Sequence, residues 1–258
     1  MKEKMLLVVD IGNTHTVIGV FDGEKLKIDW RINSDKKKTA DEYGVLLQSI
    51  FHASGFGLDD FQAVIIASVV PPLLQTFQDF CEKYLGLTPI IVGPQINTGM
   101  PILIDNPSEV GADRIVNGMA AYHQVRQACV VVDFGTATTF DCISSSGEYM
   151  GGVIMPGIGI SVEALFQMTS KLPRVEIARP KAVIGKNTVD CMQSGIFFGY
   201  VGMVDGMVER IAGEMGKEVF VIATGGLAEQ IGAESKRIQK VDQLLTLKGL
   251  QLLYKLNQ

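Results

Sequence analysis

The sequence predicts an α/β protein built from two similar halves. Two valine-rich runs, Met5–Val9 and Ala128–Val132, have the length of a buried strand, and an aspartate follows each run. Glycine and small hydroxyl residues come next, in Asp10-Ile11-Gly12-Asn13-Thr14-His15-Thr16 and in Asp133-Phe134-Gly135-Thr136-Ala137-Thr138-Thr139. Strands and helices then follow both motifs in the same outline, which indicates an internal duplication.

Each aspartate motif has the chemistry of a phosphate or metal site. A carboxylate at the end of a buried strand costs several kcal/mol unless cations or hydrogen-bond donors compensate it. Gly12 and Gly135 let backbone N–H groups approach a ligand closely, and the threonines add hydroxyl groups. A strand that ends in an Asx or Ser/Thr turn is the alternative for either motif alone. The presence of two copies favours phosphate binding.

The first half predicts an antiparallel meander followed by alternating helices and strands. Asp22-Gly23 is typical of a tight hairpin turn, and Thr39 and Glu42 have the spacing of a capping box. The predicted strands are 5–9, 17–21, 25–32, 62–69 and 89–92, and the predicted helices are 39–54, 73–85 and 115–125. Residues 97–107 form a loop that glycine and proline interrupt.

The second half predicts the same order of elements. The predicted strands are 128–132, 139–143, 149–154 and 219–223, and helices cover a segment that ends before Pro173 and the ranges 189–215 and 247–256. Thr224-Gly225-Gly226 lies between the last long strand and a further helix, where it is interpreted as an adenosine-binding turn. We therefore expect an N-terminal domain of 1–118 and a C-terminal domain of 119–258.

The predicted helix 189–215 has glycines at spacings of four, three and four: Gly195, Gly199, Gly202 and Gly206. Such a stripe is typical of close backbone packing against another helix. The partner helix belongs either to the same chain or to a second copy across a dimer interface.

The composition is that of an ordinary soluble globular protein, with 47% apolar and 20% charged residues in a chain of 258. The net charge of −5 leaves no electrostatic footprint for nucleic acid, and Lys36–Lys38 is interpreted as a solvated loop. The four cysteines form no paired motif, the N-terminal apolar run is too short for a signal peptide, and no stretch could span a bilayer. A cytoplasmic protein without nucleic-acid or membrane partners is expected.

Two common nucleotide motifs are excluded. Gly185-Lys186-Asn187-Thr188 lacks the upstream glycine of a P-loop, because position 180 is proline. Gly157-Ile158-Gly159-Ile160-Ser161-Val162 fails the dinucleotide fingerprint at its last position.

The ordered set of motifs resembles the type III pantothenate kinases. Asp-x-Gly-Asn-Thr at Asp10, Gly-Ala-Asp-Arg at Gly111, Asp-Phe-Gly-Thr-Ala-Thr-Thr at Asp133 and Thr-Gly-Gly at Thr224 occur in this order. The resemblance extends over essentially the whole chain and includes Thr39-Ala40-Asp41-Glu42-Tyr43, Ser68-Val69-Val70-Pro71-Pro72 and Met192-Gln193-Ser194-Gly195. It implies a duplicated actin-like (ribonuclease H-like) fold, a homodimer, and ATP-dependent phosphorylation of the primary hydroxyl of pantothenate.

The resemblance also implies roles for individual residues. The ATP phosphates would contact Asp10, Ile11, Gly12, Asn13, Thr14, His15, Thr16, Val17 and, from the second loop, Thr136. Asp10 would serve Mg²⁺ through water, and Asp133 would bind a monovalent cation, K⁺ or NH₄⁺. Pantothenate would contact Gly111, Ala112, Asp113, Arg114 and Thr188. For His15, a partly exposed bystander is the alternative.

Asp113 matches the general base of the family. A carboxylate within ~2.6–3.2 Å of an alcohol can accept its proton during phosphoryl transfer. Arg114 beside it could pair with the carboxylate of the substrate. Read without the family, Asp113 and Arg114 form a surface ion pair in the first turn of a helix.

The substrate loop departs from the family at Ile104, where a tyrosine is expected, so one hydroxyl contact with pantothenate is lost. Two other functions remain open on the same fold. One is a different acceptor, such as a sugar or acetate, or a polyphosphate phosphatase. The other is a non-catalytic regulator that binds nucleic acid or protein, a reading that the acidic charge and the presence of Asp113 with both phosphate loops disfavour.

Overall fold

The computed structural model describes residues 5–93 and 95–258. Within this part the chain forms two compact units. The first unit contains the residues up to 100, together with 105–120 and 246–258, and the second contains 101–104 and 121–245. The fold class predicted from the sequence, α/β with an internal duplication, is confirmed by the topology of the two units.

The first unit is built on a five-stranded mixed sheet with the order β3-β2-β1-β4-β5. Its strands are β1 (Met5–Ile11), β2 (His15–Asp22), β3 (Lys25–Asn33), β4 (Phe61–Ser68) and β5 (Ile90–Ile91). The first three strands form the predicted antiparallel meander, whereas β4 and β5 run parallel to β1. The apolar residues of β1 and β4 are almost completely buried, which explains why both strands read as continuous hydrophobic runs.

Three helices alternate with the later strands: α1 (Ala40–Ala53) follows β3, α2 (Pro71–Phe80) follows β4, and α3 (Ala112–Val125) follows β5. The predicted capping box begins α1: the Thr39 side chain accepts from the Glu42 N–H, and the Glu42 carboxylate accepts from the Thr39 N–H at 2.8 Å. A π-helical turn, Cys81–Leu85, extends α2 and ends at Gly86 in the left-handed region. The third helix begins at Ala112, three residues earlier than predicted, so Asp113 lies in its first turn.

The second unit repeats this topology with the sheet order β10-β9-β6-β7-β8. Its strands are β6 (Cys129–Phe134), β7 (Ala137–Ile143), β8 (Tyr149–Pro156), β9 (Phe220–Gly225) and β10 (Lys240–Val241). The two hairpins correspond in position but not in length, since Ile11 pairs with Thr16 in the first unit and Phe134 with Thr138 in the second, so the first turn is one residue longer. Each aspartate is the second-to-last residue of the central strand of its own sheet.

The helices after β8 are α4 (Ile158–Met168), α5 (Thr188–Met215), α6 (Ala228–Gly232) and α7 (Leu245–Leu256). Asn187 caps α5, because its side chain accepts from the Asp190 N–H at 2.9 Å. All of α7 except Leu245 groups with the first unit. The predicted domains of 1–118 and 119–258 placed this helix with the C-terminal half, so the compact units differ from that division at the C-terminus.

The glycine stripe of α5 has no close partner among the described residues. A β-carbon added at Gly195, Gly199 or Gly202 would meet no atom outside the local helix backbone within 4 Å. At Gly206 the nearest atom is Nη1 of Arg210, a residue of the same helix. Close packing of the stripe against a second helix of this chain is therefore not found.

No helix within residues 5–93 and 95–258 combines the length and the apolar content that crossing a bilayer requires.

Candidate active site

The first aspartate motif forms the tip of the β1–β2 hairpin. The Gly12 N–H donates to the His15 carbonyl at 3.0 Å and closes the turn. Asn13, Thr14 and His15 are exposed, whereas Asp10 is partly buried at the end of β1. The polar groups of the tip are therefore accessible to a ligand, while the carboxylate lies at the edge of the core.

Three of the predicted phosphate-binding residues have side chains that are unsuited to contact a phosphate. Ile11 is buried, Val17 is partly buried and apolar, and Thr16 is completely buried with its Oγ1 2.9 Å from Ser34 Oγ. These three residues can offer only main-chain groups to a ligand, so ligand-binding side chains in this loop come from its exposed tip.

Asp113 lies in the first turn of α3 and is partly buried. Its Oδ1 accepts from the Arg114 N–H at 2.8 Å. Burial raises the pKa of the Asp113 carboxyl above its ordinary value, although the neighbouring Arg114 opposes the shift. A solvated surface carboxylate in an ion pair would show the opposite shift, so the structure disfavours the simple surface reading of Asp113.

Gly111 makes room for that carboxylate. A β-carbon at this position would lie 2.6 Å from Asp113 Oδ1 and 3.5 Å from Val69 Cγ1. Val69 in turn donates its N–H to the carbonyl of Ile11 at 3.1 Å. Within the first unit, Val69 thus touches both the end of β1 and the Gly111–Arg114 segment, which brings the predicted base and the first phosphate loop to the same edge of the sheet.

The other predicted substrate residues are placed as follows. Ala112 and Arg114 flank Asp113 and are both partly buried. Thr188 is exposed at the first position of α5 in the second unit. Ile104, the departure from the family, lies beside β8, with its Cγ2 3.4 Å from the position of a β-carbon at Gly151.

The second aspartate motif forms the β6–β7 hairpin, with Gly135 and Thr136 exposed at its tip. Gly157 packs directly against this tip: a β-carbon there would collide with the carbonyl oxygen of Thr136 and lie 2.7 Å from that of Gly135. Tyr200 on α5 supports the same segment, because its hydroxyl donates to the carbonyl of Pro156 at 2.8 Å. The start of α4 therefore lies against the tip of the second aspartate motif.

Two glycines surround the carboxylate of Asp133. A β-carbon at Gly225 would lie 2.5 Å from Asp133 Oδ1, and one at Gly135 would lie 3.6 Å from it. Gly225 has φ +92°, a conformation that glycine adopts without strain. The first glycine of Thr224-Gly225-Gly226 thus lets the end of β9 pack closely against Asp133 and the main chain of Phe134. No cluster of three or more His, Cys, Asp or Glu side chains with metal-binding geometry occurs among the described residues.

Sequence reasoning missed the residues that support the two loops. Val69 belongs to a motif that carried the family resemblance without a role, and Gly157 was noted only as a loop residue before a helix. The signal for Gly157 was its place directly after a strand and before a helix, but its contact with Thr136 depends on the tertiary fold.

Comparison with known proteins shows what the chain as a whole resembles. A family profile described as type III pantothenate kinase matches residues 6–210. Type III pantothenate kinases from Geobacter sulfurreducens and Pelobacter propionicus are 56% and 57% identical over 254 residues, and each match covers 98% of this chain and 100% of the relative.

Solved structures show the same fold at low sequence identity. A conserved protein from Campylobacter jejuni, assigned to the Baf family of transcriptional activators, superposes with a TM-score of 0.61 at 20% identity over 97% of this chain and 98% of that one. The polyphosphate/ATP-glucomannokinase of Arthrobacter superposes with a TM-score of 0.51 at 13% identity over 99% of this chain and 100% of the other. The duplicated actin-like fold expected from the motifs is confirmed by these likenesses and by the repeated sheet topology.

Proposed function

The chain belongs to the type III pantothenate kinase family, and on this premise we propose how its residues carry out the reaction. The protein phosphorylates pantothenate at the expense of ATP, which is the first step of coenzyme A biosynthesis. The observation that carries the proposed mechanism is the partly buried carboxylate of Asp113. Burial raises the pKa of this carboxyl, and the absence of a side chain at Gly111 gives it room.

Asp113 is the general base. It accepts the proton of the primary hydroxyl as that oxygen attacks the γ-phosphorus and the bond to the β-phosphate oxygen breaks. A pKa raised towards the working pH makes a carboxylate a better proton acceptor while it stays ionised. Such base catalysis typically contributes about 10²–10⁴-fold, and most of the remaining acceleration comes from positioning and charge neutralisation.

Gly111, Ala112 and Arg114 bind pantothenate beside this base, and Thr188 would add a contact either from the second unit or from a partner subunit. The Arg114 guanidinium pairs with the substrate carboxylate, because a planar fork of donors suits two carboxylate oxygens. Gly111 and Ala112 contribute main-chain groups at the start of α3. Thr188 contributes a hydroxyl from the start of α5, where it is exposed.

Both hairpin tips bind the phosphates of ATP. In the first tip, the main-chain N–H groups and the exposed side chains of Asn13, Thr14 and His15 contact phosphate oxygens, in keeping with their accessibility. Main-chain groups from Ile11 to Val17 complete this loop. In the second tip, exposed Thr136 adds a hydroxyl.

Asp10 and Asp133 serve cations. Mg²⁺ bound with ATP neutralises phosphate charge, and Asp10 would hold it through its water ligands. Asp133 would hold K⁺ or NH₄⁺, the role that the resemblance to the family implies for it.

The proposed assembly is a cytoplasmic homodimer. Several large apolar side chains on and around α4 and the start of α5 are exposed, including Met168 at 84% and Ile184 at 83%. Exposed apolar groups of this kind mark interaction surfaces. The glycine stripe of α5 is not covered by other atoms of this chain, so the backbone of a second subunit could pack closely against it. Light scattering on the wild type and on Ile184→Glu tests this assembly; a monomeric wild type would contradict it.

The decisive experiment measures ADP release from ATP and Mg²⁺, with and without pantothenate, in potassium buffer and in sodium buffer. We expect release that depends on pantothenate and on potassium. Asp133→Asn should remove the difference between the two buffers, whereas Asp113→Asn should abolish release in both. Release without pantothenate, or full activity of Asp113→Asn, would contradict the proposed mechanism.

A further inference from the structure

Ser34, the first residue after β3, is hydrogen-bonded to the first phosphate loop. The Ser34 N–H donates to the carbonyl of Thr14 at 2.9 Å, and Ser34 Oγ lies 2.9 Å from Thr16 Oγ1. Thr16 is completely buried, so its hydroxyl has little access to competing water. One main-chain and one side-chain hydrogen bond thus attach the loop to Ser34.

Tyr43 holds the same segment from the side of the core. Its hydroxyl accepts from the Asp35 N–H at 2.9 Å and donates to the Asp35 carbonyl at 3.2 Å. Tyr43 is a residue of α1, its ring is completely buried in the core, and the ring centroid lies 4.9 Å from that of Phe77. A hydroxyl on a packed helix has a well-defined position and can therefore fix the main chain to which it is hydrogen-bonded.

The capping box determines where that hydroxyl lies. Thr39 and Glu42 cap each other, and the Tyr43 N–H donates to the carbonyl of Thr39 at 3.1 Å, so α1 begins at a defined residue. The motif Thr39-Ala40-Asp41-Glu42-Tyr43, which carried the family resemblance without any catalytic role, acquires a physical function in this way.

We propose that Ser34 and Tyr43 are positioning residues for ATP, which hold the Asn13–His15 tip in its phosphate-binding conformation through Thr14 and Thr16. This inference rests on the proposed assignment of that tip to the ATP phosphates. An exposed loop that is ordered before binding loses less conformational entropy when the ligand arrives. The pair should therefore affect ATP binding and leave pantothenate binding unaffected.

The test compares the KM values for ATP and pantothenate in Tyr43→Phe and Ser34→Ala. Each substitution removes a hydroxyl and little volume, so we expect KM for ATP to rise about 3- to 10-fold, the ratio typical of one lost hydrogen bond. KM for pantothenate should not change. Ser34→Thr, which retains the hydroxyl, should restore most of the ATP affinity. The double variant should lose less than the product of the two single effects, because both residues act on one segment.

Two controls separate this inference from the proposed function. Tyr84→Phe removes another tyrosine hydroxyl of the first unit, which donates to Asp41 Oδ1 at 2.7 Å, and it should leave both KM values unchanged. Asn13→Ala tests the loop itself and should raise KM for ATP. If Asn13→Ala has this effect and Tyr43→Phe and Ser34→Ala do not, the positioning role is wrong and the phosphate loop stands. If Asn13→Ala leaves KM for ATP unchanged, both assignments are wrong.

A general structural role would give a different pattern. It would raise both KM values together or lower the melting temperature without changing either, and each result would overturn the inference. Should Tyr43→Phe fail to fold, the comparison of Ser34→Ala with Ser34→Thr decides, since Ser34 is only partly buried and lies outside the helices and strands.

Discussion

The carboxylate of Asp113 occupies space that the side chain of any residue other than glycine at position 111 would fill. The β-carbon of an alanine there would lie 2.6 Å from Asp113 Oδ1, well inside van der Waals contact. Gly111 and Asp113 are therefore a coupled pair: the glycine determines where the proposed base can lie.

Gly111→Ala should lower kcat more than it changes KM for ATP. The added methyl group displaces the Asp113 carboxylate, and a misplacement of about 1 Å can cost 10²-fold in rate. Steady-state kinetics with each substrate varied in turn measures the effect. Gly57→Ala is the matched control, because the nearest atom to its β-carbon is Asp60 Oδ2 at 3.8 Å and its backbone is extended. Equal kcat values for the two variants would disprove the coupling.

Asp113→Asn should abolish turnover and increase the free energy of unfolding at neutral pH. Burial raises the pKa of Asp113 in the folded protein above its ordinary value of 3.8. The folded state then binds more protons than the unfolded state, so stability falls as pH rises from about the unfolded pKa through the folded one. Removing the charge should therefore stabilise the fold at pH 7.

Denaturant unfolding of wild type and Asp113→Asn at pH 7 and near pH 4 checks this sign. The difference in stability should be larger at pH 7, where the wild-type carboxylate is ionised. A variant that is less stable than wild type at pH 7 would show that ionised Asp113 stabilises the fold, contrary to the effect of its burial. On the same reasoning, kcat/KM of the wild type should fall in acid with an apparent pKa above 3.8.

Gly157→Ala should weaken ATP binding through the second loop. Its β-carbon would collide with the Thr136 carbonyl and lie 2.7 Å from the Gly135 carbonyl, and both are backbone atoms that cannot rotate away. The loop must move, so KM for ATP should rise and Tm should fall. Kinetics and thermal unfolding measure the two effects. Gly159→Ala, at an open position in the first turn of the same helix, controls for the change in helix propensity.

Thr138→Val should stabilise the protein by about 1 kcal/mol, because it replaces a buried hydroxyl that has no partner by a methyl group of similar size. Thr138 is completely buried, and its Oγ1 has no hydrogen-bond partner among the described residues. Urea unfolding of Thr138→Val and Thr138→Ala tests this, and the alanine variant should be less stable because it leaves a cavity. A valine variant less stable than wild type would indicate that the hydroxyl is satisfied in solution, for example by water.

Several elements could be predicted because they depend on local patterns. The hairpins at Asp10 and Asp133, the capping box of Thr39 and Glu42, and the long helix that begins near Thr188 all follow from periodicity, turn residues and caps. The start of α3 was predicted three residues late, since Gly111-Ala112-Asp113 carries no strong capping signal. The short strand β10 was not predicted, because two residues have no period of their own.

The sequence by itself determined the α/β duplication, the two aspartate loops and, through its ordered motifs, the family and its reaction. Those features are local or are spread along the chain in a fixed order, so they can be read without coordinates. Only the coordinates show which groups approach one another: Gly111 and the carboxylate of Asp113, Gly157 and the main chain of Thr136, and Ser34 and Tyr43 behind the first loop. The contacts of Gly157, Ser34 and Tyr43 join residues whose mutual distance is set by strand register and helix packing, and the contact between Gly111 and Asp113 depends on the side-chain conformation of Asp113 at the start of α3.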